Sequence, residues 1–152
     1  MAHYRTTVTS AASADDVFTY LADFATVAEW DPGVREAWLV SGDAAEVGAV
    51  YRVVTSTLGL TLALDYRILE SVPPVAGRPG RVVLQADTRD FRSYDVILVE
   101  PTATGCALTY DADLALKGVR RPFDPFLRVA FQVIGGRARA GLESAVQMRQ
   151  PA

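Results

Sequence analysis

The sequence predicts an α+β fold: a curved antiparallel sheet of about seven strands wrapped around a long C-terminal helix, with two short helices after the first strand. Three observations predict it. Segments rich in β-branched and aromatic residues recur through most of the chain, separated by short turns of Gly, Pro and Asp. Apolar residues at helical spacing follow the first segment, and a longer run of them closes the chain. The links between strands are short, which suits antiparallel neighbours, because parallel pairs need long crossovers.

The first strand is read over residues 3–10 (His-Tyr-Arg-Thr-Thr-Val-Thr-Ser). Ser13 can then cap a helix whose first turn carries Asp15 and Asp16, suited to the positive end of the dipole. Val17, Phe18, Leu21 and Ala22 mark its buried face. A second short helix is expected from Phe24 to Glu29, ending before the turn Asp31-Pro32-Gly33. Further strands are placed near residues 34–40, 49–56, 61–71, 81–87, 92–99 and 107–116. The Pro- and Gly-rich stretch 73–80 is short enough for one surface loop.

Asp124-Pro125 resembles the start of the last helix, whose apolar face includes Phe123, Phe126, Leu127, Phe131, Ile134 and Leu142. Gly135-Gly136 costs that helix on the order of 1 kcal/mol per glycine. Close packing against the sheet is one reason to keep the pair; a bend that makes room for a ligand is the other.

The chain has 152 residues, half of them hydrophobic and 22% charged, and reads as one domain over residues 1–152. A formal charge of -3 argues against nucleic acid as partner. No apolar run is long enough for an integral membrane segment. The start lacks a basic patch followed by an apolar stretch, so no secretory signal is expected. The one cysteine, Cys106, leaves no internal disulfide and makes a reducing cytoplasm the simplest compartment. His3, the one histidine, sits at the start of a strand, and no His, Cys and carboxylate residues show ligand spacing. Neither a metal nor another cofactor is expected. Homo-oligomerisation is left open.

Several segments, taken in order, carry a resemblance. They are Ser13-Ala-Asp-Asp-Val-Phe-Thr-Tyr-Leu21, Trp30-Asp-Pro-Gly-Val34, Val47-Gly-Ala-Val-Tyr51, Tyr66-Arg-Ile-Leu-Glu-Ser-Val-Pro-Pro74, Val99-Glu-Pro101, Thr104-Gly-Cys-Ala-Leu108 and the terminal helix. Together they resemble the START-like superfamily, also called SRPBCC or birch-pollen-allergen-like, and within it the polyketide cyclase/dehydrase group. The resemblance implies a helix-grip fold with a cavity between sheet and helix. Members of the superfamily include lipid carriers, quinone-binding proteins, aromatase/cyclases and plant hormone receptors, so the shared fold does not settle function.

Strand alternation proposes the lining. The inward sets are Leu108, Tyr110, Ala112, Leu114 and Leu116; Leu62, Leu64, Tyr66 and Ile68; and Tyr51, Val53 and Thr55. Arg52 and Arg67 then point outward. Strand 91–99 has two facings, because a one-residue slip exchanges the faces. Either Phe91, Ser93, Asp95, Ile97 and Val99 point in, or Arg92, Tyr94, Val96 and Leu98 do. The resemblance around Val99-Glu-Pro101 favours the first.

The candidate ligand-binding residues are therefore Trp30, Tyr51, Tyr66, Asp95, Tyr110, Phe126 and Phe131. The tyrosines can equally be core residues bonded to backbone, and Trp30 a packing plug. Asp95, if inward, has its pKa raised by desolvation and can act as a general base; otherwise it is a surface charge. Cys106 reads as a structural thiol, and Arg120-Arg121 as solvated charges. No catalytic residue is assigned. A largely apolar lining with few polar anchors points to a partner that is a hydrophobic or amphipathic small molecule, lipid, polyketide or quinone-like. The resemblance supplies the alternative, a polyketide cyclase/aromatase-type enzyme performing aldol cyclisation and dehydration. An interaction module with a filled core is a third reading.

Overall fold

The computed structural model describes residues 2–57, 59–118 and 136–146. In β1 (Ala2–Ser10), Ala2, Thr6, Val8 and Ser10 are buried, while His3, Arg5, Thr7 and Thr9 face out. Helix α1 (Ala14–Ala22) begins where Ser13 Oγ accepts the Asp16 N–H at 3.1 Å. Such a cap is worth about 1 kcal/mol. The expected face of Val17, Phe18, Leu21 and Ala22 is buried.

The expected second helix is two pieces, a 3-10 turn (Phe24–Thr26) and α2 (Val27–Trp30). Asp23 causes the break: its side chain accepts from Ala25 N–H at 3.4 Å, and its carbonyl accepts from Thr26 N–H at 3.0 Å. That second bond closes the tighter, three-residue turn. Asp31 Oδ1 accepts the Gly33 N–H at 2.9 Å and fixes the turn out of α2.

Six more strands follow: β2 (Val34–Ser41), β3 (Val50–Thr57), β4 (Leu60–Val72), β5 (Gly80–Asp87), β6 (Phe91–Thr102) and β7 (Gly105–Leu116). The sheet runs β1-β7-β6-β5-β4-β3-β2, antiparallel at every pairing. Register shifts lie between Val34 and Glu36, Leu39 and Ser41, and Ile68 and Glu70. Bulges of this kind bend a strand and increase its twist, which curves the sheet about the core. Val53, Leu64, Ile68, Leu84, Ile97 and Leu108 form the apolar inner face.

Residues 136–146 are helical and are called α3. Ala138, Leu142 and Val146, at intervals of one helical turn, are buried. Ser10 Oγ donates to Val146 O at 3.1 Å and ties α3 to β1. The close-packed glycine is Gly141: a Cβ there would lie 1.8 Å from the Trp30 carbonyl oxygen. A Cβ on Gly136 would meet nothing within 4 Å among the described residues. Gly135 lies outside the described residues.

Candidate functional site: a buried carboxylate and its hydroxyl partners

Strand β6, between β7 and β5, supplies the core of the site. Its burial alternates so that Ser93, Asp95, Ile97 and Val99 are buried while Arg92 and Tyr94 are exposed. Of the two facings open from sequence, the structure has the one that turns Asp95 inward. Pairing on both sides fixes it: Asp95 lies opposite Leu84 of β5 and Ala112 of β7.

Small residues make room for long ones. Opposite Asp95 stands Ala112, so the diagonal neighbour Tyr110 can lean across, and its hydroxyl donates to Asp95 Oδ2 at 2.6 Å. Ser93 Oγ donates to Asp95 Oδ1 at 2.8 Å. On the other side, Ala86 lies opposite Ser93, and Tyr66 of β4 reaches over β5 to donate to Ser93 Oγ at 3.1 Å. Three strands thus contribute one connected chain, Tyr66 to Ser93 to Asp95 to Tyr110.

Burial raises the Asp95 carboxyl to about 6, against the lowering effect of the bonds from Tyr110 and Ser93; the charges of Asp31 and Asp113 add to the rise. Burial, together with the Asp95 charge, holds the Tyr66 and Tyr110 hydroxyls far above their ordinary values, so both remain donors. Asp31, half-buried, is also raised by burial, while the Gly33 N–H pulls the other way.

Trp30 is 2% exposed, and its ring meets that of Tyr110 edge-on at 5.4 Å. Among the described residues its Nε1 has no hydrogen-bond partner, nor does the buried Thr6 Oγ1. Thr6 lies opposite Tyr110 in the β1–β7 pairing. Two unpaired polar groups therefore flank the tyrosine that bonds Asp95.

Trp30, Tyr66, Asp95 and Tyr110 are brought together. Tyr51 stands apart: its hydroxyl accepts the Ala45 N–H at 2.9 Å, although Phe24 touches both Tyr51 and Tyr66. Phe126 and Phe131 lie outside the described residues, as do Arg120 and Arg121. Arg52 lies outside the core and pairs with Asp65 at 2.8 Å, and Arg67 is exposed. Sequence reasoning placed Ser93 in the favoured inward set without making it a candidate, and did not single out Thr6 or Asp31. Thr6 and Ser93 carried a signal, since each occupies an inward position of its strand. Asp31 read only as a turn residue.

Strand pairing also brings together residues whose spacing along the chain carries no ligand signal. His3, Asp111 and Asp113 place donor atoms within 4.8 Å of one another on the outer face of β1 and β7. There His3 Nε2 lies 2.7 Å from Asp111 Oδ1, and Arg5 shares the same carboxylate at 3.4 Å. Two surface grooves, of about 670 and 660 Å³, lie at the start of α1 and between α1 and α3. Neither is lined by the Asp95 group.

A family model described as polyketide cyclase / dehydrase and lipid transport matches residues 1–147. The chain belongs to this family. No curated protein sequence matches it. Solved structures agree in fold. A START superfamily protein from Mycobacterium smegmatis superposes with a TM-score of 0.74 at 16% identity, covering 96% of this chain and 97% of that one. An aromatase/cyclase from Streptomyces sp. R1128 gives 0.70 at 17% identity, over 95% and 90%. Ginseng major latex-like protein 151 from Panax ginseng gives 0.66 at 14% identity, over 95% and 97%. In this polyketide cyclase / dehydrase family the chain has a curved seven-stranded antiparallel sheet, short helices after β1 and a C-terminal helix. Among the described residues no helix is long and apolar enough to cross a membrane.

Proposed function

We propose that the chain binds a hydrophobic or amphipathic small molecule between the inner face of the sheet and the C-terminal helix. One observation carries the reading. Among the described residues a single carboxylate, Asp95, is buried in an aliphatic and aromatic interior and held by Ser93 and Tyr110. Ligand pockets combine this kind of apolar wall with a few placed polar groups. Family membership supports it, since the family description includes lipid transport.

Titration with the neutral dye Nile red tests it. Saturable one-to-one binding is expected, and Ala112→Phe, which crowds the place where Tyr110 leans to Asp95, should abolish it with the far-UV spectrum unchanged. Equal binding by that variant would remove the interior as the site.

A second reading is a polyketide cyclase-type enzyme, favoured by the Asp95 carboxyl standing at about 6 beside a tyrosine. A base so tuned can take a proton from the carbon between two ketones, while a hydroxyl steadies the enolate. On that reading the purified chain cyclises a poly-β-ketone thioester and Asp95→Asn abolishes turnover. Dye binding without turnover favours carriage.

A further inference from the structure

The hydrogen bonds around Asp95 leave an unequal balance. Tyr66, Ser93 and Tyr110 each own one hydroxyl proton. Tyr66 gives its proton to Ser93, Ser93 to Asp95 Oδ1, and Tyr110 to Asp95 Oδ2. An ionised carboxylate can only accept, so these directions are fixed. Every donor of the group is therefore spent inward. What remains free on Asp95, Tyr66 and Tyr110 is lone-pair capacity.

The surroundings sharpen this. Among the described residues Trp30 Nε1 is a donor without a partner, and its ring touches Tyr110. Thr6 Oγ1, unpaired and opposite Tyr110, can serve in either role. Among the described residues no Lys or Arg is buried. Arg52, Arg81, Arg92 and Lys117 are paired with carboxylates away from the core. Nothing described offsets a second negative charge beside Asp95, and burying one without a partner is costly.

Resting on the ligand-binding reading above, we propose that the site selects a neutral ligand presenting a hydroxyl. That hydroxyl donates to the Asp95–Tyr110 pair and accepts from Trp30 Nε1. The same ligand bearing a carboxylate is rejected. Sites built to bond a hydroxyl discriminate strongly against analogues that leave buried groups unpaired.

Three anthracenes with one ring system and different head groups provide the test: 2-hydroxyanthracene, 2-methoxyanthracene and anthracene-2-carboxylate, titrated at pH 7.5 by probe fluorescence. The hydroxyl probe should bind about tenfold tighter than the methoxy probe, the worth of one well-made hydrogen bond. It should bind about a hundredfold tighter than the carboxylate, which meets a like charge as well. Asp95→Asn keeps the shape and removes the charge, so the hydroxyl-to-carboxylate ratio should fall by about tenfold. Trp30→Phe keeps a ring in place and should weaken the hydroxyl probe about threefold or more.

A carboxylate that binds as tightly as the hydroxyl, with the methoxy probe also bound, overturns the selectivity and leaves ligand binding standing. No saturable binding by any of the three overturns both. An unchanged ratio in a folded Asp95→Asn protein removes Asp95 as the discriminating group. An unchanged hydroxyl affinity in Trp30→Phe removes Trp30 from the proposal.

Discussion

At Asp95, burial and hydrogen bonding act in opposite directions, and burial prevails. The carboxyl titrates at about 6 in the folded chain, above the ordinary value of 3.8. Between those values the folded state holds more protons than the unfolded one, so stability from this group is lost as pH rises through that window. The loss is on the order of 2–3 kcal/mol and is complete above the folded value. Asp65 and Asp87 are shifted the other way by their Arg and Lys partners on the surface, and both remain in any Asp95 variant. Comparing denaturant midpoints of the native chain and Asp95→Asn at pH 4.5 and 7.5 therefore isolates the buried group. The variant should gain relative to the native chain on going to pH 7.5. A relative gain by the native chain would mean that the carboxylate is better solvated than its burial implies.

Within elements, the terminal helix divides its glycines by what stands beside them. Gly141 faces the backbone at the end of α2, where a Cβ would lie 1.8 Å from the Trp30 carbonyl oxygen. Gly141→Ala must push the helix away and should cost about 2 kcal/mol or more, a fall of roughly 4–8 °C in Tm. Gly136→Ala meets no neighbour within 4 Å among the described residues and should add about 0.5–1 kcal/mol through helix propensity. Thermal melts of the two variants check both signs; equal effects would mean that α3 does not rest on α2. The apolar spacing that includes Leu142 made the buried face of this helix legible in the sequence. Which glycine touches backbone was not, because that depends on where α2 ends in space. Strand β6 is a similar case. Its alternation defined two candidate faces, and only pairing with β5 and β7 chose the one with Asp95 inside.

In the whole molecule, element order and antiparallel connection followed from turns and alternation, which are local signals. The site did not, beyond its inward-facing members. Tyr66, Ser93, Asp95 and Tyr110 meet because β5 separates β4 from β6 by one small residue, Ala86, and β7 faces β6 with another, Ala112. Closure of β1 onto β7 adds Thr6 to the interior and gathers His3, Asp111 and Asp113 outside. No spacing along the chain encodes either meeting. The central claim, a ligand held at the Asp95 group, is tested most directly by the indole N–H resonances of the two tryptophans. Trp30 is buried beside Tyr110, whereas Trp38 is 41% exposed on β2. Saturating 2-hydroxyanthracene should shift the Trp30 indole proton downfield and leave Trp38 in place. A bound probe that leaves Trp30 unmoved, or moves Trp38 instead, would contradict the account.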